Sequence, residues 1–502
     1  MSRFLVAFVF VFLFVCSTSQ ALDIAVTYDV AQSQAPDFDP DGSRLQSLVD
    51  AAVSIYEDII EDDFTLNLAF TWGDVGSDGT LGLATTLNTD AIGRPTFSRM
   101  RFNTNDSVNW FIDPTPNDHS EYSLIQTTVD DLSAAVRADS FSGNPPEQLE
   151  VGFAGVRNIP FNTNDLFSVV VHEIGHAVGL GTASIGASAN DGDFDVPSNF
   201  LGGATAGIRV SSNEDRAHLA APRTALFPVL VPDIRRLPSA TDIFAIASAA
   251  GWREIDLPRK DFVGSGAWND SGRWIGDRVP DAEDEVVIRT GEAVTIGDGA
   301  TADSVFVTDG SRLIVEGGLQ ANELFLNNAA HRFVVGDDFE GIDVAEFASL
   351  DGSIFVELSP SADIGDSFTL LTAPDIVGDF EDIEVSLPQN NRGIVIDERD
   401  SSVLATVAQV GDTNTDGAVD FRDFLTLSRN FGTAGSWRDG NFGNDEIVDF
   451  QDFLIFSDNF GSTIGAASFA SAEVASVPEP NSQHAFLLLT MGMLAIRRRQ
   501  QR

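Results

Sequence analysis

The stretch Val169-Val170-Val171-His172-Glu173-Ile174-Gly175-His176-Ala177-Val178-Gly179-Leu180-Gly181 decides how the first half of this 502-residue chain is read. Phe167, Val170, Val171, Ile174 and Val178 recur at helical spacing, and Asp165 stands where an N-cap belongs. A step of four residues places His172 and His176 on one helix face, one turn apart, so both imidazoles can reach one metal ion. Glu173 lies beside the first of them, positioned to take a proton from metal-bound water. Gly179 lets the chain turn sharply out of the helix. The bland reading is a helix whose two histidines are surface or core residues. Against it stand the cap, the amphipathic pattern and a chain with only 6 histidines.

This string resembles the metzincin signature H-E-x-x-H-x-x-G-x-x-H/D over His172, Glu173, His176 and Gly179. It departs at the last position, Thr182. The methionines are Met1, Met100, Met491 and Met493, so no Met-turn methionine lies downstream of the helix. A catalytic zinc needs three protein ligands and one open position. By ligand type and order His218 is the favoured third ligand, with Asp191, Asp193 or Asp195 as carboxylate alternatives and Glu214 or Asp215 as further options. His119, in an upstream loop, is a weaker candidate. Leishmanolysin-like peptidases, which this order resembles, also carry the third histidine after a long insertion, and Phe227 falls where their Met-turn methionine would. The resemblance implies a zinc-dependent endopeptidase acting on extracellular protein or peptide, with Glu173 as general base.

Upstream, Ile24, Val26 and Tyr28 alternate as a strand. Leu45, Leu48, Val49, Ala52, Val53, Tyr56 and Ile60 follow a helical period, and Phe64, Leu66, Leu68 and Phe70 alternate again. A loop-rich stretch runs through Asn117. Leu124, Val129, Leu132 and Val136 suggest a helix, and Leu149, Val151 and Phe153 a strand. Downstream, Ala183 to Asp215 reads as a polar insertion. Asp242, Ile243, Ile246 and Ala250 read as an apolar helix closing the domain near Trp252, with no catalytic role for Asp242.

Net charge is −47, from 76 acidic and 29 basic residues, so nucleic acid is excluded as a partner by lack of phosphate-neutralising charge. Ser2-Arg3, the apolar run Phe4 to Val15 and Ser19-Gln20-Ala21 read as a secretory signal peptide. The single cysteine, Cys16, lies inside it. The exported chain would have no disulfide, and a closed structural zinc site, which usually includes cysteine, ranks last among the readings.

From Phe262 the composition changes. Val286-Ile288, Val294-Ile296, Val305-Val307, Leu313-Val315 and Leu324-Leu326 recur at roughly ten-residue spacing with turn residues between, which predicts a β-solenoid or sandwich. The stretch resembles surface-protein β repeats carrying Gly317-Gly318-Leu319, and Gly365 to Phe380 looks like their end module. Trp268 and Trp274 are expected in the core and His331 in a loop or strand.

Asp412, Asn414, Asp416, Ala418 (through its carbonyl), Asp420 and Asp423 occupy the ligand offsets of a calcium loop, with Gly417 at the sharp turn. Phe424, Leu425, Ser428 and Phe431 follow as a helical face. The pattern returns as Asn441, Asp445, Ile447, Asp449 and Asp452, where Gly443 and Glu446 replace a ligand and the turn glycine. This pair of loop-helices resembles a dockerin module, which implies bound Ca2+ and a cohesin-like partner. A calcium-stabilised spacer is the plainer alternative. Val477-Pro478-Glu479-Pro480, the apolar run Ala485 to Ile496 and Arg497-Arg498-Arg499 resemble a PEP-CTERM sorting tail. That implies processing by an exosortase-type enzyme and delivery to the cell surface or matrix, with transient anchoring by a segment only about 18 Å long as helix.

The fold class expected is multidomain. Residues 1–21 form the signal peptide and 22–256 an α+β metzincin-like catalytic domain. Residues 257–410 form a β-rich solenoid or sandwich region and 411–463 a small helical dockerin-type calcium domain. A linker, 464–476, and the sorting signal with its membrane segment, 477–502, complete the chain. The competing function is a non-catalytic surface binding or structural protein with a degenerate peptidase domain.

Overall fold

The structure, a computed structural model, describes residues 21–463 apart from 77–78, 106, 132–147, 158–161, 182–192, 202–205, 212–215, 223, 290, 309 and 389. Residues 1–20 of the expected signal peptide, Leu132 and Val136 of the expected helix, Thr182, Asp191, Glu214, Asp215 and the expected sorting tail lie outside the described residues. Within them, no helix is long and apolar enough to cross a membrane. The architecture is multi-sheet and β-rich with five described helices, an α+β chain of more than one domain. The described residues divide into two compact units, 21–387 with 393–407, and 388–392 with 408–463.

The larger unit opens with β1 (Asp23–Tyr28), α1 (Ser43–Ile59), β2 (Thr65–Gly73), β3 (Gly82–Thr89) and β4 (Pro95–Asn103). These strands form one sheet in the order β1-β2-β4-β3. β1, β2 and β4 run parallel, while β3 turns back antiparallel on β4 and is the sheet's outer edge. β3 and β4 fall where the sequence predicts loop. β5 (Trp110–Phe111) and β6 (Tyr122–Asp131) follow, and β7 (Gln148–Arg157) pairs with β6. Leu124 and Val129 therefore lie on a strand, not on the predicted helix. The run Thr127-Thr128-Val129 is β-branched, which favours the pleated backbone over a helix.

β8 (Asn164–Asp165) leads into α2 (Leu166–Ala177), the helix predicted around the histidines. The predicted insertion contains a hairpin, β9 (Asp193–Val196) and β10 (Ala206–Arg209). β11 (Ile234–Leu237) joins β7, and α3 (Ala240–Ala250) closes the region. Here Trp252 is buried and donates from Nε1 to Val178 O at 2.9 Å. One core gathers α1, α2, α3 and the first sheet, and it extends to Val263 and Ile275, beyond the expected boundary at residue 256.

The second core of this unit is solenoidal. β12 (Arg259–Asp261), β13 (Ser265–Ala267), β14 (Glu285–Ile288), β15 (Ala293–Ile296), β16 (Ala300–Val307), β17 (Arg312–Val315), β18 (Gly318–Leu326), β19 (Ala329–Val335), β20 (Gly341–Ser349) and β21 (Gly352–Leu358) alternate between two sheets. Neighbours within each sheet are parallel. Val286 pairs with Val305 and Val305 with Leu324, so one coil takes nineteen residues and contributes a strand to each face. Parallel pairing of successive coils decides for a solenoid over a sandwich. Alternate residues point inward: Val286, Val305 and Leu324 from one sheet meet Val294 and Leu313 from the other. Trp268 and Trp274 are buried in this core as expected, and His331 lies buried on β19.

The smaller unit has two loop-helix repeats, with α4 (Phe421–Asn430) and α5 (Phe450–Asn459). Asp420 and Asp449 cap the helices in reciprocal boxes with Asp423 and Asp452. Gly417 sits at φ 83°, and Glu446 keeps the same left-handed turn at φ 68°. The second loop thus retains the shape of the first at a cost of about 1–2 kcal/mol for a side chain in that region. The inward face of α4 differs from expectation. Leu427 is buried, whereas Leu425 and Phe431 are 36% and 41% exposed.

Candidate metal centre

α2 begins where Asp165 turns its carboxylate back to accept from Ser168 N (3.3 Å) and Ser168 Oγ (2.6 Å). The same carboxylate receives Arg235 of β11 bidentately, Nε on Oδ2 and Nη2 on Oδ1, both at 3.0 Å. Arg235 Nη1 reaches Asp113 Oδ2 at 2.6 Å and His119 Nδ1 at 3.0 Å, and the guanidinium lies over the rings of Tyr122 and Phe167. Apart from half-buried His119 all of this is buried, so the N-terminus of α2 is braced by a paired, hydrogen-bonded ion cluster. His119 is therefore an acceptor for Arg235 and not part of the metal site. Burial and Arg235 together lower its pKa.

One turn further, His172 and His176 present Nε2 to each other at 3.0 Å. His218 completes the group, its ring centroid 5.2 Å from that of His172 and 4.9 Å from that of His176. One ligand atom from each of the three histidines lies within 4.8 Å of the others, and this group could hold a metal ion. No other trio of His, Cys, Asp or Glu gathers so among the described residues. Asp193, buried on β9, and Asp195, exposed on it, are not in the group.

The donor chemistry fits a metal. His172 Nδ1 meets Ala225 O at 2.8 Å and His176 Nδ1 meets Leu180 O at 2.6 Å. A carbonyl only accepts, so each Nδ1 carries the proton and each Nε2 offers its lone pair. The Nε2 atoms of His172 and His176, 3.0 Å apart, are close enough to share one ion. Burial, then the neighbouring His176, hold the His172 pKa well below the usual histidine range. The ring therefore stays neutral and able to ligate.

Sequence reasoning missed the support beneath His172. Asp242 of α3 accepts from Ala225 N at 3.0 Å and Leu226 N at 2.9 Å, and from Ser239 N and Oγ at 2.9 and 2.7 Å. It therefore fixes the segment whose carbonyl orients His172. Ser239-x-x-Asp242 is a capping box, and that signal was readable. Leu226 packs under α2: a Cβ on Gly175 would lie 2.8 Å from its Cδ2. His218 is carried on an extended segment, Ser211 N donating to His218 O at 2.7 Å and Leu219 N to Leu226 O at 2.9 Å.

Glu173 faces the same cleft, a cavity of about 710 Å³ that His172, His176 and His218 also line. One wall is β3, from Gly82 to Thr86; the other carries Pro228, Val229 and Leu230. Glu173 is its only charged lining residue among those described. Burial raises its pKa to about 8, against a hydrogen bond from the Ala84 amide that lowers it.

In the smaller unit, the predicted calcium residues occupy one closed loop each. Asp412 accepts from Gly417 N at 2.8 Å, Asn414 Oδ1 from Asp416 N at 2.8 Å and Asp416 Oδ1 from Ala418 N at 3.1 Å. Asp423 accepts from Thr413 N and Asp420 N at 3.0 and 2.9 Å. Burial, with Asp423 and Asp416 nearby, raises the Asp412 pKa. In the second loop Asn441 Oδ1 and Asp452 play the matching parts. Their carboxylates do not converge as the histidines do.

No protein-family model matches the chain, and no curated protein matches it.

Proposed function

We propose that the chain is a zinc-dependent endopeptidase whose substrate is an extended protein or peptide segment. The observation that carries this reading is the convergence of three histidines, two of them presenting Nε2, beside a buried carboxylate in one open cleft. His172, His176 and His218 would hold the ion. When bound, zinc would supply a Lewis acid that polarises a carbonyl and acidifies water. Glu173 takes a proton from the attacking water and returns it to the leaving amine. β3 is an edge strand beside the histidines, and an extended chain can add to such an edge through main-chain hydrogen bonds.

Calcium in the loops from Asp412 and Asn441, export by the N-terminal segment and surface sorting by the C-terminal one are parts of the same proposal. So is a cohesin-like partner for the smaller unit. The competing reading, a surface protein without catalysis, is favoured by the long solenoid, which carries no metal cluster among its described residues.

The test is cleavage of a quenched-peptide library by the full chain with zinc, beside Glu173→Gln. The expected result is chelator-sensitive turnover reduced about 10²–10⁴-fold in the variant at unchanged zinc content. A folded, zinc-loaded protein without turnover would reject the peptidase in favour of the surface protein.

A further inference from the structure

Gly82 stands on β3 where the strand crosses α2. An ideal Cβ placed on it would lie 2.6 Å from Glu173 Oε1, 2.8 Å from Cγ and 2.9 Å from Cδ. Ordinary contact begins near 3.4 Å, so the whole carboxyl end of Glu173 rests in the space a side chain would fill. Backbone conformation does not require this glycine, since it is not among the left-handed residues of the chain. Its role is spatial.

Other glycines around α2 differ. A Cβ on Gly175 would strike Leu226 and Tyr56, which is core packing; Gly179 is at φ 153° with Ala250 Cβ 2.5 Å away, which is a turn. At Gly82 the three nearest atoms all belong to Glu173. Ala84, two residues on and so on the same face of the strand, is small and packs toward the core, while Leu83 and Leu87 on the opposite face are exposed.

We propose that Gly82 is a positioning residue: edge strand β3 presents bare backbone there, and this seats the carboxylate of Glu173 beside the metal ligands. The inference rests on the reading of Glu173 as general base. A methyl group at position 82 meets only a flexible side chain, so the fold tolerates it while the base is driven off its seat by roughly 1 Å. A misplacement of that size costs on the order of 100-fold in rate.

The experiment compares the zinc-loaded full chain with Gly82→Ala and with Gly297→Ala, a solenoid glycine whose added Cβ meets nothing within 4 Å. Zinc content, Tm, kcat and KM are measured, and crystal structures of the wild type and Gly82→Ala are solved. The expected result is a loss of about 100-fold in kcat for Gly82→Ala, with KM, zinc content and Tm unchanged. Its carboxylate should be displaced, and Gly297→Ala should behave as wild type. An unchanged kcat, an unmoved carboxylate, or a loss that comes with lost zinc or lower Tm would overturn the proposal. If the wild type cleaves nothing, the peptidase reading fails separately. The two crystal structures then decide: a displaced carboxylate supports the seat and an unmoved one rejects it.

Discussion

The two halves of the larger unit bury different things. Around α2 the interior holds Asp113, Asp165, Glu173, His172, Arg235 and Asp242, each at 7% exposure or less. Between Glu285 and Val407 the buried polar residues, among those described, are Ser304, Ser311 and His331. Taking a charge from water is costly unless it is paired and hydrogen-bonded, and the first half meets that cost repeatedly. Past its first coil, where buried Lys260 of β12 pairs with Asp284 at 2.8 Å, the solenoid needs only shape: apolar residues stacked coil upon coil, each coil supporting the next. Buried charge is concentrated where a few side chains have to be held to a fraction of an ångström.

The contrast can be broken most severely at Arg235. Arg235→Met would leave Asp113 and Asp165 buried and unpaired, and should cost about 3–5 kcal/mol in a denaturation curve. A loss below about 1 kcal/mol would mean that the cluster does not brace α2.

Next comes the pH dependence of the metal-free protein. Glu173 has a folded pKa of about 8, raised from 4.5. A raised carboxyl contributes stability that is present below pH 4.5 and lost as pH rises through 8. The metal-free chain should therefore weaken across that window by up to about 5 kcal/mol. Glu173→Gln should flatten the profile, and parallel profiles for both proteins would reject the assignment.

Asp242→Asn replaces an acceptor-only carboxylate by a group that cannot accept all four of its hydrogen bonds. It should weaken zinc binding about 10–100-fold, measured by competition with a chelator, because support behind a ligand is typically worth that much. Wild-type affinity would show that Ala225 orients His172 unaided.

The smallest effect is expected in the solenoid. His331 is held down to about 4 by burial and then by Arg312. A lowered histidine contributes stability that is present above pH 6.5 and lost as pH falls through 4. His331→Leu should change stability at pH 7 by less than about 1 kcal/mol and remove this acid sensitivity. A large loss at pH 7 would place the solenoid with the first half.

What the sequence showed and hid follows the same division. α2 was legible because its apolar period, its cap and its ligand spacing all lie within fifteen residues. The solenoid strands were legible because nineteen-residue coils repeat their Val and Leu positions. β3 was hidden: Gly82-Leu83-Ala84-Thr85-Thr86 is a half-exposed edge strand whose small residues face a helix, so it lacks the apolar alternation of a core strand. Arg235 reads as one of two adjacent arginines, and its partners Asp165 and Asp113 lie 70 and 122 residues away in the chain. Contacts of that range leave no local pattern.

The most direct measurement is anomalous diffraction at the zinc edge from crystals of the full chain and of His218→Ala. One zinc, bound by Nε2 of His172, Nε2 of His176 and His218, is expected in the wild type, with loss of that peak in the variant. A folded wild type with no zinc at this site, or zinc retained there in His218→Ala, would contradict this expectation.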